Sequence, residues 1–210
     1  MELKNKKINF LGDSITEGCG ASAPELGFVD VMKHRFGLAE ARNYGIGGTR
    51  IARQQVPSDW TRFDQDFCSR YEKMDPDADV IVVFGGTNDH GHGDAAFGCE
   101  ADRTPDTFRS ACHVLFAGLL KTFPQAKIIV VTPLHRAEEG PKNGNGPTLT
   151  DYVQVIRETA AQYSLPVLDL FETSAINAST LSVLTDDGLH PNDQGHAVLA
   201  EEIGAFLHTL

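Results

Sequence analysis

Nearly continuous apolar runs alternate along the chain with stretches whose apolar residues recur every third or fourth position. The runs are Ile8 to Leu11, Ala78-Asp79-Val80-Ile81-Val82-Val83-Phe84, Lys127-Ile128-Ile129-Val130-Val131 and Leu165 to Leu170, with Arg42 to Tyr44 a weaker one. Runs with little polar alternation suit strands buried on both faces, the condition of a parallel sheet. Between them, Leu26, Val29 and Phe36 mark a helix near the front. Thr104-Pro105-Asp106 offers an N-cap, a first-position proline and a first-turn acid, and Phe108, Cys112, Leu115 and Leu119 come next at helical spacing. Thr150 to Tyr163 sets Tyr152, Val155, Ile156 and Thr159 on one face, and Leu199, Ile203, Phe206 and Leu210 do the same at the end. The alternation predicts an α/β fold, a mainly parallel five-stranded sheet between two helical layers, in one domain spanning residues 1–210.

In such a sheet ligands sit beyond the C-terminal ends of the strands. Four polar clusters lie there: Gly12-Asp13-Ser14, Asn43-Tyr44-Gly45-Ile46-Gly47-Gly48, Gly85-Gly86-Thr87-Asn88-Asp89 and Asp187-Gly188-Leu189-His190. Singly, each is an ordinary turn or cap. Together they hold the parts of a serine esterase. Ser14 is the candidate nucleophile. Pro191 disfavours helix at His190, so a short loop can fold the Asp187 carboxylate onto one imidazole nitrogen and leave the other to take the Ser14 proton. The backbone N–H groups of Ser14 and Gly48 and the Asn88 amide are the candidate donors to a developing oxyanion. Thr16 stands where the elbow Gly-x-Ser-x-Gly would need glycine, so that motif is absent.

Composition narrows the partners. The net charge of -11 argues against a nucleic-acid surface and against docking on anionic lipid. No apolar segment of signal-peptide length precedes Gly12 and none approaches a membrane span, so a cytoplasmic protein is expected. Cys19, Cys68, Cys99 and Cys112 show no CxxC spacing and read as reduced thiols, with Cys19 a packing filler. Arg50 falls where a dinucleotide fingerprint would place its last glycine, and no GK[ST] occurs. His90-Gly91-His92-Gly93-Asp94 reads as a solvated or substrate-facing loop, and no metal or cofactor is expected.

Two long Gly-rich stretches, Asp89 to Arg103 and Pro133 to Pro147, are candidates to bind substrate or cover the site. They carry His90, His92, Asp94, Glu100, Asp102 and Arg103, and His135, Arg136, Glu138, Glu139, Lys142 and Asn143. His90, His135 and Arg136, with Asp13 beside Ser14, are the candidate substrate-binding residues. This polarity points to a small-molecule ester with a short acyl group and a polar leaving group, such as an acetylated sugar.

The clusters resemble signature blocks of the SGNH hydrolases, or GDSL esterase/lipase family. Gly12-Asp13-Ser14-Ile15-Thr16-Glu17-Gly18 is similar to the first block, with isoleucine in place of leucine. Asn43 to Gly48 looks like the second, Gly86-Thr87-Asn88-Asp89 the third and Asp187 to His190 the last. The resemblance implies a flavodoxin-like three-layer α/β/α sandwich with strand order 2-1-3-4-5, and metal-independent ester hydrolysis through an acyl-enzyme. Lipases, thioesterases, lysophospholipases, arylesterases and carbohydrate acetylesterases all fall within what it implies. A ligand-binding module on this fold would not need all five site residues.

Overall fold

Five strands form one parallel sheet in the order β2-β1-β3-β4-β5: β1 Lys7–Gly12, β2 Glu40–Gly45, β3 Val80–Phe84, β4 Lys127–Val131 and β5 Val167–Leu168. The helices are α1 Ser14–Glu17, α2 Phe28–Phe36, α3 Phe67–Arg70, α4 Thr87–Gly91, α5 Phe108–Thr122, α6 Leu149–Gln162, α7 Leu170–Thr173, α8 Leu181–Leu184 and α9 Asp193–His208. This computed structural model describes every residue except Glu100 and Asp102, and of Asn143 the backbone alone. The polar loop side chains of Glu100, Asp102 and Asn143 therefore lie outside the described residues.

The apolar runs make this architecture because successive strand side chains point to opposite faces. Ile8, Phe10, Val80, Val82, Ile129 and Val131 pack in a core with Phe28, Val29 and Met32 of α2 and Leu199, Ile203 and Leu207 of α9. Their neighbours Leu11, Ile81, Val83, Ile128 and Val130 pack in a second core with Phe67 of α3, Cys112, Leu115 and Leu119 of α5, and Val155 and Ile156 of α6. One sheet thus separates two cores and gives the three layers. No helix among the described residues is long and apolar enough to cross a membrane.

Several element boundaries depart from the sequence expectation, each for a local reason. The 165–170 run contracts to a two-residue strand. Pro166 lends only its carbonyl, to Val130 N–H, and Leu170 already opens α7. Helix α5 begins at Phe108 rather than near Thr104. The carbonyls of Ala96 and Phe97 accept from Phe108 and Arg109 N–H, so the strap before the helix satisfies donors that a side-chain cap would otherwise take. In α9 the buried line runs Leu199, Ile203, Leu207; Phe206 is half-buried at its edge and Leu210 lies past the helix end. Leu26 is exposed in a 3-10 turn ahead of α2, and Phe28 is the anchoring residue there.

Register sets the site. Gly12 pairs with Gly45 and with Phe84, and Phe84 with Val131, so four strands end level at one edge. The segments carrying Ser14, Gly48 and Asn88 leave that edge together.

Candidate active site

Ser14 opens α1 immediately beyond β1, with Asp13 as N-cap. Its Oγ lies 2.9 Å from His190 Nε2, and His190 Nδ1 lies 2.7 Å from Asp187 Oδ2. The carboxylate can only accept, so Nδ1 carries the proton, and Nε2 accepts from the Ser14 hydroxyl. The second Asp187 oxygen accepts from Leu189 N–H at 3.0 Å and His190 N–H at 2.8 Å. Burial alone would raise the Asp187 carboxyl, but the His190 backbone N–H and ring outweigh it and hold it below the usual range.

The polypeptide on either side locks this contact. Gly20 has φ +92, and a Cβ on it would come within 2.2 Å of the Pro191 carbonyl oxygen. The turn after α1 can thus lie flush against the His190–Pro191 segment only because glycine stands there. Beneath it, the fully buried His196 ring donates from Nε2 to the Cys19 carbonyl at 3.1 Å and accepts Phe28 N–H on Nδ1 at 3.3 Å. Burial, first of all, lowers the basicity of this imidazole, which suits a neutral ring bridging a carbonyl and an N–H.

The second and third clusters meet beside Ser14. Gly48 has φ +74, and a Cβ there would stand 3.0 Å from the Phe63 ring. Among the described residues, neither Ser14 nor Gly48 gives its backbone N–H to a protein acceptor. The Asn88 amide, almost fully buried, spends one hydrogen on the Thr49 carbonyl at 2.9 Å and lines the same cleft. Asp89 accepts Ile51 and Ala52 N–H, both at 2.9 Å, and Arg70 reaches the Gly12 carbonyl at 2.6 Å and Thr49 Oγ1 at 3.1 Å. Glu17 accepts Gly47 N–H at 2.7 Å and pairs with Arg62. The 46–52 turn is therefore held on several sides, and its free N–H points are fixed before any ligand arrives.

Ser14 and His190 open on a cleft of about 630 Å³. Among the described residues, Phe63, Leu189 and Cys19 bring apolar side chains to its lining, and Glu17, Arg50, Arg62, Gln54, Ser58 and His92 add polar groups on alkyl or ring carbons. Arg50 is itself buried, with its guanidinium 3.0 Å from His92 Nδ1 and 2.9 Å from the Phe63 carbonyl. Burial, then the positive charge of Arg50, lowers the His92 ring. Cys19 thus lines the cleft rather than filling space.

Asp13, His90, His135 and Arg136 do not line this cleft, a correction to their expected substrate-facing placement. Asp13 is only 2% exposed and turns inward to accept Ile15 N–H at 3.0 Å. The His90 Nε2–H is spent on the Gly140 carbonyl at 2.9 Å. His135 binds Glu139 at 2.7 Å and stacks on Phe171. Arg136 is held by the Thr87 carbonyl and hydroxyl at 3.0 and 3.1 Å. The 133–147 loop folds back on itself, with Glu139 also accepting Arg136 N–H and the Glu139 carbonyl accepting Leu149 N–H. Together with 90–91 it walls a separate hollow of about 510 Å³. The cleft wall is built instead by residues 50–63, which no motif marked. Its one sequence signal is Trp60 and Phe63 set in a polar stretch after Val56.

Two buried carboxyls lie under the site. Desolvation lifts Asp13 to about 7, against the pull of Ile15 N–H, and lifts Asp89 to about 6, against Ala52 and Ile51 N–H. For Asp13 the folded value lies above the unfolded one, so its contribution to stability is full below about pH 4 and is lost as pH rises through about 7. Asp13→Asn is expected to remove this loss and gain up to about 4 kcal/mol on wild type at pH 8 relative to pH 4. Urea unfolding of both proteins at these two pH values checks it; equal pH dependence would show that the carboxyl does not titrate in this range.

The chain is similar to known proteins over nearly its full length. A GDSL lipase of Mycobacterium tuberculosis is 25% identical over 214 residues, covering 99% of this chain and 84% of that one. An acetylxylan esterase of Xylanibacter ruminicola is 26% identical over 219 residues, covering 96% of this chain but only 43% of that longer protein. A crystal structure of a Lactobacillus plantarum protein superposes with a TM-score of 0.83 at 28% identity, covering 98% of each chain. Residues 10–198 match the GDSL-like lipase/acylhydrolase family: the chain belongs to that family and is a carboxylic ester hydrolase.

Proposed function

We propose that this protein is a serine esterase that removes short acyl groups, acetyl above all, from a hydroxylated small molecule such as a carbohydrate. The observation that carries the reading is the unbroken hydrogen-bonded chain Ser14–His190–Asp187, which meets the cleft beside two unspent backbone N–H groups. In this mechanism His190 Nε2 takes the Ser14 proton as Oγ attacks the acyl carbon. The Ser14 and Gly48 N–H groups and the remaining Asn88 amide hydrogen receive the oxyanion. The leaving alcohol departs with the proton held by His190, and the acyl group stays on Ser14. Water, deprotonated by the same nitrogen, then attacks the acyl carbon, and Ser14 regains its proton from His190. Asp187 keeps Nδ1 protonated and the ring aimed.

The cleft supports the polar leaving-group part. Guanidinium, carboxylate, amide and hydroxyl groups of Arg50, Arg62, Glu17, Gln54 and Ser58 stand beside the apolar surface of Phe63, Leu189 and Cys19. Similarity to an acetylxylan esterase is in keeping with an acetylated sugar. Hydrolysis of p-nitrophenyl esters from acetate to palmitate tests it. Turnover should peak at acetate. A peak at eight carbons or beyond would overturn the short-acyl reading and favour a lipase or lysophospholipase.

A further inference from the structure

The only tryptophan of the chain, Trp60, is 70% exposed on the segment that walls the cleft. Its ring stacks on Phe63 with centroids 6.4 Å apart and planes inclined by 26°. Phe63 in turn lies against Gly48 and lines the cleft with Ser14. Phe63 therefore connects the cleft beside the candidate nucleophile to the exposed indole that stacks on it. The pair is held rather than loosely draped. Phe63 N–H donates to the Trp60 carbonyl at 2.9 Å, and Arg50 binds the Phe63 carbonyl. Ser58 N–H and hydroxyl both reach Asp64, at 2.9 and 2.6 Å.

An indole left in water forgoes the burial that makes tryptophan stabilising, so an ordered, exposed one at a cleft mouth is suited to a ligand with an apolar face. The flanking groups select the ligand. Arg62, two residues away, pairs with Glu17, and this pair and Ser58 line the cleft beside Phe63. A guanidinium already neutralised by a carboxylate is a poor anchor for an anion but presents both donors and acceptors to hydroxyl groups. An aromatic plane for C–H groups beside a rim of mixed donors and acceptors matches a pyranose ring, whereas an acyl chain would gain nothing from the rim.

We infer that Trp60 and Phe63 form a platform for a sugar ring of an oligosaccharide leaving group, with the Glu17–Arg62 pair meeting its hydroxyls. This deepens the proposed carbohydrate esterase activity and rests on it for the identity of the leaving group. Because Trp60 is the sole indole, intrinsic emission reports on the platform directly. Titration of the Ser14→Ala protein with xylotetraose should give a saturable emission change. Trp60→Ala should lower the ratio of kcat/KM on acetylated xylotetraose to that on p-nitrophenyl acetate about tenfold, through KM, and Trp60→Phe should restore part of it. No saturable change, or an equal loss on both substrates, would overturn the platform. The two readings fail separately: hydrolysis that survives Ser14→Ala removes the proposed nucleophile, while the xylotetraose titration still decides the platform.

Discussion

Ser14→Ala is expected to lower kcat on p-nitrophenyl acetate by about 10⁴-fold or more, the usual loss when the nucleophile of a hydrogen-bonded triad is removed. The geometry makes the size of the effect plain. Ser14 Oγ lies in hydrogen-bond contact with His190 Nε2, and removing it leaves an aligned imidazole with no covalent acceptor for the acyl group. The fold should not suffer. Ser14 holds α1 through its backbone carbonyl, which accepts Gly18 and Cys19 N–H, and alanine keeps that carbonyl. Turnover of the purified variant, with its thermal midpoint as control, checks both halves. A folded variant that hydrolyses at a near-wild-type rate would remove Ser14 from the chemistry.

Asn88→Ala is expected to lower kcat by about 10²–10³-fold, corresponding to roughly 2.7–4 kcal/mol of lost transition-state stabilisation, with a much smaller change in KM. Two effects add here. One amide hydrogen is the proposed oxyanion donor. The other ties Asn88 to the Thr49 carbonyl and so steadies the turn that presents Gly48 N–H. Asn88→Asp keeps the size but replaces the donor with an acceptor and sets a negative charge against the oxyanion, so it should fall at least as far. Steady-state kinetics of both variants separate the roles. A raised KM at unchanged kcat would make Asn88 a substrate-binding residue and not an oxyanion donor.

Much of this arrangement was legible because it depends on spacing and strand chemistry. Apolar runs such as Val80–Phe84 can be buried on both faces in few ways, and a parallel sheet then delivers the residues after each strand to one edge. For that reason the structure brings Ser14, Asp187 and His190 together at one edge; the strand order itself was implied only by the resemblance to the SGNH hydrolases, and the sheet has that order. Loop polarity was a poorer guide. His90, His135 and Arg136 look substrate-facing in the sequence, yet His90 Nε2 is spent on the Gly140 carbonyl, His135 pairs with Glu139 of its own loop and Arg136 binds Thr87 at the start of α4, because a long loop must satisfy its own carbonyls and N–H groups. Asp13 shows the same limit on a smaller scale: an N-cap's side chain turns to its own helix, away from the cleft. The real cleft wall, residues 50–63, has no periodicity and no motif. Its placement comes from long-range ties, Asp89 to Ile51 and Ala52 and Arg50 to Phe63 and His92, that no local pattern encodes. His196 was hidden for a similar reason. It lies inside an amphipathic helix, and only the packed structure shows it holding the Cys19 carbonyl under the His190 segment.

The most direct test of the central claim is covalent labelling of the intact protein with a fluorophosphonate, read by mass spectrometry. A single adduct that maps to the peptide containing Ser14, and is absent from Ser14→Ala, is the predicted result. An adduct on another residue, or a folded and hydrolytically active wild type that takes no label, would contradict the account.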